Sequence, residues 1–213
     1  MYEDKCIGGI QMKLKKYIKV LSYFIIFNVL ISLAFVGADA NTVKITTDKE
    51  PLYTVEYDGY DLTARRIRVA GSNNVAYCLE INEKYPSGQN FSSNSNLSES
   101  VRNVIAAGYP NRSVAELNLD NENEAYFATQ IAIWSSMEGY DVNKIKGNNS
   151  KIVDAIKSIY NDGVNGKYSS KIRSKVYKTS DESIQEIIVV YTDDLVSEEK
   201  GESIQTEYAP QEG

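Results

Sequence analysis

Two side chains in this sequence could do chemistry that the rest could not. Cys78 lies in Tyr77-Cys78-Leu79-Glu80, and Gln130 lies in Thr129-Gln130-Ile131-Ala132-Ile133-Trp134. The chain has two cysteines and no histidine. Without an imidazole, neither Cys-His nor Ser-His-Asp catalysis is open to it, so a cysteine enzyme of the transglutaminase type ranks low and the chain is read as a non-enzyme. One thiolate cannot complete a zinc cage and no carboxylates fall at ligand spacing, so no metal or cofactor is expected. A lone cysteine is either an inert buried thiol or a reactive one.

Gln130 poses the matching question. From Ala125 to Trp134 the sequence is apolar on nearly every side of a helix, which predicts deep burial. Gln130 is the one long polar side chain in that run, with Tyr126 and Trp134 one turn before and after it on the same face. A buried glutamine without partners costs about 1–3 kcal/mol. It is therefore either a structural residue tied to backbone carbonyls or a carboxamide positioned to react.

The start of the chain indicates export. Lys13, Lys15, Lys16 and Lys19 precede an apolar run from Val20 to Val36 that ends in Gly37-Ala38-Asp39-Ala40, the pattern of a cleaved signal peptide. A retained membrane anchor is the competing reading. Residues 1–11 fit no targeting pattern, and Met12 reads as the true start; either way Cys6 is absent from the exported chain, leaving Cys78 single. Removing residues 1–40 takes away five lysines and three acidic residues and moves the formal charge from −6 to −8. An acidic surface argues against nucleic acid as a partner and limits membrane contact to export. Sixteen tyrosines against five phenylalanines fit an extracellular, β-rich protein.

The elements that must position Cys78 and Gln130 follow from periodicity. Alternation predicts strands at 42–46, 52–57, 66–69 and 75–79, with Asp58-Gly59 as a turn and a polar loop at 86–95. The period then becomes helical. A first helix is predicted behind an Asn96/Glu99 capping box and is closed by Gly108 as a left-handed cap. A second runs from an Asn121/Glu124 box to Glu138 before Gly139, and a third from a Ser150 cap to Gly163. Strands return at 175–178, at 185–192 and at 203–208. The expected fold is α+β, a β-sandwich or barrel with a three-helix insertion.

Three motifs in this order, Tyr77-Cys78-Leu79-Glu80, Gly108-Tyr109-Pro110 and Thr129-Gln130-Ile131-Ala132-Ile133-Trp134, resemble the thioester domains of Gram-positive bacterial surface adhesins. The resemblance covers roughly 41–192, almost the whole exported chain. It implies a cross-link in which the Cys78 sulfur and the Gln130 acyl group form an internal thioester that bridges the two lobes, with Tyr77, Tyr126, Thr129 and Trp134 around it. It also implies a secreted or surface-bound adhesin that captures a lysine amine of a host extracellular protein covalently, as an amide. The alternative is a noncovalent binding or stalk module in which Cys78 is structural. The organisation expected is an N-terminal extension and signal peptide at 1–40, a thioester domain at 41–195 and a polar acidic tail or linker at 196–213. The short Tyr140–Asn149 connection suggests a compact helical lobe.

Overall fold

The computed structural model describes residues 42–94, 97–168 and 172–192. The expectations for residues 1–40, for the tail at 196–213 and for a strand at 203–208 lie outside these residues. The elements in chain order are β1 (Thr42–Tyr57), β2 (Tyr60–Val69), β3 (Val75–Cys78), β4 (Asn90–Asn94), α1 (Glu99–Ala106), α2 (Glu122–Glu138), α3 (Ser150–Val164), β5 (Ser174–Lys178) and β6 (Ile187–Val190). The strands form a closed antiparallel barrel in the order β1-β2-β3-β6-β5-β4, with the helices inserted between β4 and β5. The α+β class and the helical insertion are as expected, and the β part is a barrel.

The two short strands predicted at 42–46 and 52–57 are halves of one bent strand. The β1–β2 register shifts between Thr47 and Pro51 and again between Pro51 and Tyr53. Pro51 has no N–H to give to a ladder, and a bulge is where a strand tolerates it. Asp58 (φ 50°) and Gly59 (φ 86°) make the two-residue turn that joins Tyr57 to Tyr60.

Four local expectations are corrected. Asn90–Asn94, read as loop, is strand β4, because Phe91 buries fully and the segment bridges β1 and β5. The N-caps of α1 and α3 are Ser98 and Asn149, the first accepting from Val101 N–H and the second from Lys151 and Ile152 N–H. Gly108 is not among the residues with positive φ, so it is no left-handed cap. By contrast, Asn121 caps α2 and Gly139 (φ 72°) closes it as read from sequence, although the Glu124 carboxylate reaches back to Asp120 N–H and not to the cap itself.

α2 is the central element. It packs against α1, α3, β1 and β2, so nearly every side of it is covered, and it shares one continuous apolar core with the barrel. α3 crosses α1 at Gly163, where a Cβ would lie 2.9 Å from the Val104 backbone nitrogen. Only a glycine permits that approach.

Candidate functional site

Cys78 ends β3. On one side β3 pairs with β6 through Val75↔Val190 to Cys78↔Ile187, and Leu79 N–H continues the ladder to Glu186 O at 3.0 Å. Successive residues of an antiparallel strand turn their N–H and C=O to opposite neighbours. Those of Cys78 therefore face away from β6, toward β2. The β2–β3 pairing, however, consists of Ile67↔Ala76 and Arg68↔Val75 and stops short of Cys78.

α2 takes the place of the missing partner. The Tyr126 hydroxyl accepts from Ile67 N–H at 3.1 Å and donates to Ala76 C=O at 2.8 Å, inserting itself between the strands. One turn later the Gln130 carboxamide meets Cys78 at both ends. Its Oε1 accepts from Cys78 N–H at 2.9 Å, and its Nε2 donates to Cys78 C=O at 2.8 Å. The match in spacing is simple: four helical residues rise about 6 Å, and two strand residues about 6.7 Å. A polar side chain every fourth residue of α2 thus serves every second residue of β3.

The three sequence motifs converge on one frame. The Tyr77 hydroxyl donates to Tyr109 C=O, and Thr129 Oγ1 accepts from Tyr109 N–H at 2.9 Å while donating to Ala125 C=O at 2.8 Å. Tyr109 is thereby held by the neighbours of both Cys78 and Gln130. Gly108 owes its identity to this frame, since a Cβ there would overlap the Thr129 side chain. Tyr77 and Tyr126 stack at 4.7 Å between ring centres, and Arg66 lies 5.0 Å above the Tyr126 ring, held by Asn123 at 3.0 Å. Trp134 is buried one turn beyond Gln130, and its Nε1 finds no hydrogen-bond acceptor among the described residues.

Cys78 is 0% and Gln130 1% exposed. Burial pushes the Cys78 thiol well above its ordinary pKa, and the charge of Glu80 adds to the rise. Burial likewise raises the phenols of Tyr77 and Tyr126, which remain hydroxyl donors at neutral pH. The site therefore holds a protonated thiol beside a fixed carboxamide, both closed off from the surface. A polar cleft of about 350 Å³ opens nearby, bounded among others by Arg66, Asn74, Tyr109 and Glu122, but neither Cys78 nor Gln130 lines it.

The structure brings Cys78, Gln130, Tyr77, Tyr126 and Thr129 together and leaves Trp134 without a polar contact to them. Arg65 and Tyr85 were not singled out by sequence reasoning, and Tyr109 entered it only within the Gly108-Tyr109-Pro110 motif.

Residues 75–165 match the family model described as a thioester domain, a segment that opens on β3 and closes just past α3. The fold is similar to that of the Bacillus anthracis TIE protein (TM-score 0.54, 20% identity), over 63% of this chain but only 26% of that one. It is also similar to the thioester domain of the Enterococcus faecium TIE86 protein (TM-score 0.52, 14% identity, 72% of this chain and 78% of that). The N-terminal domain of the Streptococcus pyogenes pilus tip adhesin Cpa shares the fold as well (TM-score 0.50, 15% identity, 73% and 95%). The comparison with curated proteins gives no match. Family model and fold agree with the resemblance carried by the three motifs: this is a chain with a thioester-domain sequence match and the fold of Gram-positive thioester domains.

Proposed function

We propose that Cys78 Sγ and Gln130 Cδ join as an internal thioester and that the domain, exported and displayed or released by a Gram-positive cell, captures a lysine of a host extracellular protein. The observation that carries this reading is the two-ended docking of the Gln130 carboxamide on Cys78, in a pocket without solvent exposure. Held proximity of this kind can supply about 7–11 kcal/mol toward a reaction that is otherwise slow.

The chemistry balances without a cofactor. The thiol adds to the carboxamide carbon, the negative charge on Oε1 is met by the Cys78 N–H already donating to it, and collapse expels Nε2. The thiol proton leaves with that nitrogen as ammonia. The backbone N–H acts as an oxyanion donor that needs no reorganisation. Because burial keeps the thiol protonated, attack and proton transfer to nitrogen are coupled and no free thiolate accumulates. In the second step a neutral lysine amine attacks the same carbon, the C–S bond breaks, and one amine proton moves to sulfur. An amide to Gln130 and a free Cys78 thiol remain. The acyl group is consumed once, so the domain acts as an adhesin and not as a catalyst. The dry, aromatic-walled pocket slows loss of the acyl group to water.

The same two hydrogen bonds also support a second reading, in which Gln130 is a structural staple and the module binds its partner noncovalently. Intact mass separates the two: the thioester protein is lighter than its sequence by one ammonia. Thiol labelling of the native protein does not separate them, because Cys78 is buried in either case. Gln130→Glu keeps shape but is a far poorer acyl donor. It is expected to fold, to show no ammonia deficit and to take up no methylamine, whereas the wild type takes it up at Gln130 and frees Cys78. Methylamine found on any other residue, or equal uptake by the Glu variant, defeats the assignment.

A further inference from the structure

We propose that Tyr85, clasped by Arg65, is the removable plug over the Cys78–Gln130 pair, and that an unhindered primary amine reaches the acyl carbon through the opening it leaves. This rests on the thioester reading and adds the route of entry to it.

Among the described residues, three approaches to the pair are closed by structure that would have to break. β6 covers one side of β3 with a continuous ladder. α2 fills the β2–β3 gap through Tyr126 and Gln130. Toward the polar cleft, the Tyr77–Tyr126 stack and the Tyr77–Tyr109 hydrogen bond stand in the way.

The remaining side is the end of the barrel. The β2–β3 pairing ends at Ile67↔Ala76; two residues further along each strand, across the gap that α2 fills, Arg65 and Cys78 fall on the strand faces that Ile67 and Ala76 occupy. The Arg65 guanidinium stands 5.9 Å from the centre of the Tyr85 ring, which brings Tyr85 toward the end of the barrel where Cys78 ends β3. Tyr85 is half-buried and packs against the core, while Arg65 is exposed. Electrostatics agree with this placement: the Tyr85 phenol is pushed up to about 12, by burial first and by the neighbouring Cys78 second.

The backbone around Tyr85 is stapled on both sides. Lys84 N–H donates to Ser183 C=O and Lys84 C=O accepts from Gln185 N–H, each at 3.0 Å. Beyond Tyr85, Pro86 C=O accepts from Thr47 Oγ1 at 2.7 Å, and Gly88 N–H donates to Ile45 C=O at 2.9 Å. A rotation of the Tyr85 side chain between these staples opens the site without unfolding the segment. The space vacated has the width of one aromatic side chain, which admits a linear alkylamine such as a lysine side chain and rejects branched amines.

The test measures access apart from thioester chemistry. In a Gln130→Glu background, where Cys78 is a free thiol whatever the wild type holds, maleimide labelling of the native protein is timed. Tyr85→Ala is expected to raise the rate by about tenfold or more, because a local opening is replaced by a permanent one. Arg65→Ala, at an exposed position, should raise it severalfold and decides the matter if Tyr85→Ala does not fold. Ile159→Ala in α3 serves as a destabilised control and should leave the rate near that of the parent. In the wild-type background Tyr85→Ala should likewise speed methylamine uptake. An unchanged labelling rate, or an equal rise with Ile159→Ala, overturns the plug. Absence of the ammonia deficit in wild type defeats the thioester reading, while the labelling arm still decides the route.

Discussion

Tyr126→Phe is the sharpest probe of a helix that substitutes for a strand. The change keeps the ring and its 4.7 Å stack on Tyr77 and removes only a buried hydroxyl. That hydroxyl satisfies Ile67 N–H at 3.1 Å and Ala76 C=O at 2.8 Å, so two main-chain groups lose their partner together. An orphaned buried group costs about 1–3 kcal/mol. The two strands are already in register and can close part of the gap, which returns some of the loss. The net cost should be about 2–4 kcal/mol, a large share of the stability of such a domain but short of unfolding it. Urea denaturation should show the midpoint falling with the slope unchanged. Intact mass should show a smaller fraction lacking ammonia, because Gln130 loses the anchor one turn upstream. A loss below about 0.5 kcal/mol with full ammonia release would show that the hydroxyl is not a needed rung, and the argument from matched spacing would be wrong.

Cys78→Ala should fold and lose all adduct formation that survives boiling in detergent; its stability should fall by about 2–4 kcal/mol, as for a lost cross-link closing a long loop, and adducts persisting in this variant would end the thioester hypothesis. Gly108→Ala should cost about 1–3 kcal/mol by forcing the Thr129 side chain off Tyr109, with part of the loss recovered in Gly108→Ala/Thr129→Ala; simple additivity in that cycle would show that the two positions do not meet. Amine uptake should climb about tenfold per pH unit toward the pKa of the amine itself, near 10.4 for lysine, because the chain has no histidine to act as base; a plateau near pH 7 would reveal a base within the site. The raised pKa values of Tyr77 and Tyr126 also carry a sign: stability from keeping them neutral is present below the unfolded value of about 10 and is lost as pH rises toward the folded values, so the melting temperature should fall above about pH 9.5.

The sequence was most legible where a local signal and a tertiary demand coincide. Asn121 and Gly139 bound α2 because cap chemistry and an apolar run agree there. Cys78 and Gln130 stood out because each is chemically out of place among its neighbours. β4 was hidden because its polar residues carry no alternation, and only its seat between β1 and β5 makes it a strand. Gly108 was read as a cap because a glycine near the end of a helix usually is one, whereas its constraint comes from Thr129, far along the chain. Arg65 and Tyr85 were invisible for a similar reason: their relation to Cys78 depends on strand register and on a loop stapled at Lys84 and Pro86, neither of which has a local signature.

The strand beside Cys78 has a bearing on when the domain can become reactive. β6, the last strand of the barrel in chain order, lies directly against β3, with Ile187 opposite Cys78. A nascent or translocating chain carries Cys78 and Gln130 long before Ile187–Val190 is free to dock, and until then β3 lacks the neighbour that fixes the direction of its N–H and C=O. Under the proposed thioester chemistry, assembly of the acyl group is timed to completion of the barrel. On the proposed reading, a chain exported unfolded carries an ordinary thiol and an ordinary amide, and its chemistry is armed only once the barrel has closed.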